Sequence, residues 1–116
     1  MRLMLTMGAA MLLVGCASSV MQDARLRTPD ARMDSAKQPV QVAQCIQYSW
    51  QDERTFGVDA SGYLEAREAG VYTVHVRDAD AFVDVRPHAG GSQIDFYARQ
   101  QDGVALQRRA TAATCL

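Results

Sequence analysis

The side chains with the widest chemical reach in this chain are three cysteines, Cys16, Cys45 and Cys115, and two histidines, His75 and His88. A thiol becomes a strong nucleophile once it gives up its proton. Cys16 stands directly after Leu13-Val14-Gly15, at the end of an uncharged apolar run, where the small Gly15 lets a processing enzyme reach the backbone. An odd number of cysteines in an exported protein asks that one be accounted for separately. Cys16 is that one, and Cys45 and Cys115 remain as a pair that an oxidising compartment would close into a disulfide.

The other candidate chemistry is thinner. His75 shares the polar side of a strand-like stretch with Thr73, and Asp84 could reach it, so a nucleophile–base–acid relay can be drawn with Thr73 or Ser92. Ser92 follows two glycines in a turn, without the strand-to-helix elbow a nucleophilic serine uses. The reading preferred for these residues is a solvated sheet face. Two histidines without paired thiols or metal-ligand spacing predict no metal site, and no cofactor is expected. The stretch "AGGSQ" lacks the Lys and the following helix of a phosphate loop and reads as a hairpin turn. Asp59, Glu65 and Glu68 read as a charged rim. Phe82 and Tyr97 fall on the same side as His75, Arg86 and Arg99, and such a mixture of aromatics and arginines is enriched in protein interfaces. These five residues are the expected partner-binding face.

The first 15 residues give Cys16 its context. A single charge at Arg2 precedes an uncharged run from Leu3 to Val14, the layout of a signal peptide. That run is too short to span a bilayer, which takes about 20 residues. Leu13-Val14-Gly15-Cys16 resembles the lipobox of bacterial lipoproteins. The resemblance implies cleavage between Gly15 and Cys16, a thioether-linked diacylglycerol on Cys16 and acylation of the new amino terminus. Two or more acyl chains anchor a protein durably. With Ala17 rather than Asp in the second mature position, the resemblance also implies the periplasmic face of the outer membrane.

The elements that would position these residues follow from periodicity. Residues 16–38 are polar, with Val20, Leu26 and two Met as the larger apolar residues, and read as a flexible tether. A random coil of about 22 residues would hold a domain roughly 25 Å from the lipid. A weak helix between Val20 and Met33 would be interrupted by Pro29. The folded domain is expected over residues 39–116. Val42, Ala43, Ile46 and Trp50 mark one face of a helix starting at Pro39. The period then drops to two: Tyr72, Val74 and Val76, then Ala81, Val83 and Val85, then Ile94, Phe96 and Ala98 alternate with polar neighbours. These are three strands, with a fourth plausible near Tyr63 to Arg67. Keeping the valines on one face requires an even number of residues in each connection. Asp102 predicts the N-cap of a last helix running through Leu106, Ala110 and Ala113.

The expected architecture is therefore α+β: a three- or four-stranded antiparallel sheet with an N-terminal and a C-terminal helix packed on one face. "VAQCIQYSW", "GVYTVHV", "FVDVRPHAGGSQIDFYAR" and the final "TCL" together are similar to small uncharacterised proteobacterial lipoproteins, a likeness that bears on fold and location and carries no catalytic residue. At 116 residues with 48% hydrophobic and 22% charged side chains, the chain suits one domain. Its formal net charge of -1 provides no basic stripe, which argues against nucleic acid as a partner. The function expected is a non-enzymatic, membrane-anchored envelope module that binds or supports an envelope protein. The alternatives are an inhibitor of a wall hydrolase or delivered toxin, and a small hydrolase.

Overall fold

A computed structural model describes residues 15–53 and 61–116 of the chain. Its centre is a five-stranded, wholly antiparallel sheet built from β1 (Ala31–Ser35), β2 (Tyr63–Ala66), β3 (Tyr72–His75), β4 (Ala81–His88) and β5 (Gly91–Ala98). The spatial order is β1-β5-β4-β3-β2. Three helices complete an α+β fold: α1 (Gly15–Arg25), α2 (Pro39–Gln51) and α3 (Gly103–Ala113).

The period-two stretches pair as parity requires. Val74 lies opposite Val83, Val83 opposite Phe96, and Val85 opposite Ile94. Between β3 and β4, the Val76 N–H donates to the Ala81 carbonyl at 3.1 Å, which leaves a four-residue connection of residues 77–80. Between β4 and β5, His88 faces Gly91 across the two-residue turn Ala89-Gly90. Both turn residues have positive φ, 49° and 79°, as a type I′ hairpin demands. Strands β3, β4 and β5 thus turn Val74, Val83, Val85, Ile94 and Phe96 to the same side.

That side is roofed by α2 and α3. Pro39 occupies the first turn of α2, and the Gln41 side chain accepts from the Gln38 N–H at 3.3 Å. Val42, Ala43, Ile46 and Trp50 are fully buried against Val74, Val83, Val85, Ile94 and Phe96. The Trp50 indole N–H donates to the Arg108 carbonyl at 3.0 Å, satisfying the polar end of a buried ring. Asp102 caps α3, its side chain accepting from the Ala105 N–H at 2.9 Å. The buried face of α3 differs from the expected stripe. Ala105, Arg108 and Ala112, together with Cys115, point inward, whereas Leu106 is 64% exposed. Two constraints turn the helix this way: Arg108 must reach the buried Glu53, and Cys115 must reach Cys45.

Cys45 and Cys115 are joined by a disulfide with Cα atoms 5.7 Å apart, across 70 residues of sequence. Closing a loop of that length removes about 4 kcal/mol of unfolded-state entropy in the chain-entropy model.

Two expectations are corrected. The sheet has five strands rather than three or four, and the fold starts well before Pro39. Within the stretch expected to be a flexible tether, α1 ends at Arg25, ahead of Pro29, and Ala31–Ser35 adds strand β1 to β5 with Met33 opposite Ile94. The chain leaves β1 so close to β5 that a Cβ placed on Gly91 would stand 2.1 Å from the Ser35 carbonyl oxygen, so this crossing requires glycine. The Ser92 hydroxyl fastens the same crossing by donating to the Lys37 carbonyl at 2.6 Å.

Candidate functional site

The second side of the sheet carries Thr73, His75, Phe82, Asp84, Arg86, Asp95 and Tyr97. The sequence presents this as an open face centred on two aromatics. Instead, Phe82 is 1% and Tyr97 4% exposed. Their rings stack with centroids 4.7 Å apart beneath α1, whose Ala17, Val20, Met21 and Ala24 lie over them and over Ala79. Those four residues fall at positions i, i+3, i+4 and i+7, the spacing of one helical stripe. The stripe is made of small side chains and is embedded in Ser, Gln and Asp, which is why its apolar signal is faint; the spacing itself could have revealed it. The expected partner-binding face of His75, Phe82, Arg86, Tyr97 and Arg99 therefore does not exist as one surface.

The residues of that set separate into different settings. His75 stacks on Tyr63 at 5.1 Å, and its Nδ1 lies 3.1 Å from the Val76 carbonyl oxygen. A carbonyl only accepts, so this bond places the ring hydrogen on Nδ1. Arg99 pairs with Asp80 at 3.3 Å beside a separate hollow of about 350 Å³ near the start of α3. Arg86 belongs to the site described next. The relay drawn for His75 is also dispersed. Asp84 is held by Arg25 and Thr73, and the Ser92 hydroxyl is committed to Lys37. His88 is exposed at the end of β4. Among the described residues there is no group of three or more potential metal ligands.

What the second side does hold is a pair of buried carboxylates and the arginines drawn to them. Asp84 on β4 and Asp95 on β5 sit directly opposite each other, and both are almost fully buried. Like charges in that position repel, so the pairing stands only with cations beside it. Arg25, at the end of α1, grips Asp84 through two bonds of 2.7 and 2.8 Å and also donates to Thr73 Oγ1 at 3.1 Å. The Thr73 hydroxyl donates to Asp84 at 2.7 Å, and Arg67 approaches it at 3.7 Å. Arg32 on β1 and Arg86 on β4 each donate to Asp95 at 2.8 Å. The two carboxylates thus gather arginines from both ends of the sheet and from α1.

Electrostatics follows from this crowding. Burial alone would raise the Asp84 pKa, but hydrogen bonds from Arg25 and Thr73 outweigh it and hold the carboxyl below its usual range. Arg25 is pushed up, first by its hydrogen bond to Asp84. Burial, then the field of Asp95, raises the Tyr97 phenol. Nearby, burial again opposes ionisation of Asp30, but hydrogen bonds from Arg27 at 2.9 Å and from the Ala98 N–H at 2.7 Å lower its pKa overall. Arg27 also lies over the Tyr97 ring, 5.7 Å from its centroid.

Above this network opens a cleft of about 790 Å³ walled by Arg25, Arg27, Arg32, Arg67 and Arg86, with Glu65 and Glu68 on its rim. Guanidiniums carry five N–H donors each, so those bound along one edge to an aspartate keep others for a visitor. Arg86 Nε is buried and makes no hydrogen bond. Four arginines serve two aspartates, while Glu65 and Glu68 restore negative charge at the mouth. Such a lining suits a polar surface that offers carboxylates to the floor and cations to the rim. Sequence periodicity places Arg86 on this side, and Arg67 ends the stretch expected as a fourth strand; Arg25 and Arg32 cannot be assigned to it without knowing that α1 and β1 join the sheet.

Residues 1–14, nearly all of the expected signal peptide, and the candidate rim residue Asp59 lie outside the described residues. The backbone of Cys16 falls in the first turn of α1. No helix among the described residues is long and apolar enough to cross a membrane. No protein-family model, curated protein or solved structure matches the chain.

Proposed function

We propose that the chain is a lipid-anchored, non-enzymatic module of the cell envelope, fixed to its membrane through Cys16, that docks another envelope protein in the arginine-lined cleft. The observation that carries the docking reading is the convergence of Arg25, Arg32, Arg67 and Arg86 on the opposed Asp84 and Asp95 beneath an open cleft. Arginine is favoured at protein interfaces because its planar, donor-rich head pairs with carboxylates while its stem covers apolar surface. The mixed sign of the lining favours a protein segment over a simple anion. The Cys45–Cys115 bond accords with an oxidising compartment, and the lipobox-like Leu13-Val14-Gly15-Cys16 supplies the anchor.

Two measurements test this reading. Mass spectrometry of the membrane-extracted protein should find Cys16 at the amino terminus with its lipid attached; a product with an unmodified Cys16 refutes the anchor. A photo-crosslinking residue placed at Glu68, on the cleft rim, should capture a discrete protein in intact cells, and Arg67→Gln, which removes a half-exposed donor without setting a new anion beside Asp84, should weaken that adduct with at most a small loss of thermal stability. The same crosslinker at the exposed Tyr48 of α2 should give no such adduct. Equal capture from both sides of the sheet would refute docking in the cleft.

A further inference from the structure

We infer that the domain is carried without slack, seated directly on the headgroup layer of the bilayer, rather than swinging on a tether. This rests on lipid attachment at Cys16 as proposed above.

The argument begins with where packing starts. Helix α1 includes Cys16, and Ala17, the next residue, already lies against the cluster of Met21, Ala79, Phe82 and Tyr97. Every later stretch of α1 and its exit is fastened as well. Met21 is buried, Arg25 is bonded twice to Asp84, Arg27 donates to the Ala98 carbonyl at 3.0 Å, and Asp30 accepts from the Ala98 N–H before β1 pairs along β5. The free length between a lipid-bearing Cys16 and the packed fold is therefore one residue step, about 4 Å. Acyl chains on the Cys16 sulfur must lie in the hydrocarbon, so the start of α1 is drawn to the headgroups and the sheet comes with it.

The cleft inherits a position from this. Arg25 stands nine residues beyond Cys16 on the same helix, about 14 Å along its axis. A partner reaching the cleft must itself lie close to that membrane surface.

The experiment uses the full chain, purified from membranes with its lipid and placed in a supported bilayer, with neutron reflectometry reading the water layer between headgroups and protein. A second chain carries a 20-residue Gly/Ser insertion between Cys16 and Ala17, which detaches the first turn's Cys16 but keeps every packed residue of α1, from Ala17 onward, joined to the domain. The expected result is no resolvable water layer for the natural chain and a layer of about 25 Å for the insertion chain. Mass spectrometry of each sample separates the two possible failures. An unmodified Cys16 overturns the anchor and this inference with it. A lipidated natural chain with a gap as wide as that of the insertion chain overturns this inference alone, as does a gap absent from both, since adhesion would then owe nothing to the short connection.

Discussion

On one side of the sheet, Val74, Val83, Val85, Ile94 and Phe96 meet α2 and α3 through apolar contact, with a single described ion pair, Glu53–Arg108, at 3.3 Å. On the other, Phe82 and Tyr97 are covered by the small residues of α1, and the helix is locked by Arg25 on Asp84. The first side gains from area removed from water, which does not titrate and is not screened by salt. The second buries less apolar surface and depends on charged groups that must find partners, because an isolated buried carboxylate costs several kcal/mol, roughly. The contrast shows how one sheet can be roofed twice, by a core that sets stability and by a charged layer that sets shape.

That contrast can be broken most sharply on the apolar side. Trp50→Ala should destabilise the domain by about 3–5 kcal/mol in denaturant unfolding, as emptying a buried aromatic site does. A loss below about 1 kcal/mol would mean α2 is not seated as described. Replacing Cys45 and Cys115 together by Ser should cost about 2–4 kcal/mol. On the charged side, Arg25→Ala should cost about 1–3 kcal/mol, discounted because Arg25 is partly solvated and because Thr73 and Arg67 still attend Asp84. Its signature should be local: faster amide exchange in α1 with protection in α2 unchanged.

Acid distinguishes the two sides further. Asp84 and Asp30 have lowered folded-state pKa values. Their contribution is complete above the ordinary carboxylate value of about 3.9 and is lost as pH falls through the depressed folded values, because the unfolded chain then binds more protons. Stability measured from pH 5 to pH 2 should fall, and Asp84→Asn should flatten part of that slope. The smallest effect belongs to the surface: Leu106→Gln should change stability by less than about 0.5 kcal/mol, whereas a large loss would restore Leu106 to the core.

The apolar side was legible in the sequence because alternation and a helical stripe each leave a strong periodic signal. Helix Pro39–Gln51, the three alternating strands, the Asp102 cap and the Cys45–Cys115 pairing all come from such local or arithmetic cues. Strand β1 was not legible. In "ARMDS" the less exposed positions are Ala31, Met33 and Ser35, only two of them apolar, and an edge strand borrows its stability from the neighbour it joins, here β5, some 60 residues away. Helix α1 looks like a tether in the sequence for a related reason. Its stripe gains value only once Phe82 and Tyr97 lie beneath it, and Arg25 looks like an ordinary surface cation until Asp84 is brought opposite. Phe82 and Tyr97 depend on the same helix: two aromatics on their side of the sheet look exposed when the helix above them is missing. For α3, the choice of Leu106 as core failed because a disulfide and a buried ion pair outrank hydrophobicity in choosing which face turns inward.

The sheet order β1-β5-β4-β3-β2 has a consequence for the newborn chain. Emerging amino end first, α1 and β1 have nothing to settle on until β4 and β5 have followed, and the sulfur of Cys45 waits through 70 further residues for its mate. The hairpins of the middle must close before either extremity can dock. Assembly therefore proceeds from the interior of the sequence outward, and the segment that emerges first is among the last to find its place.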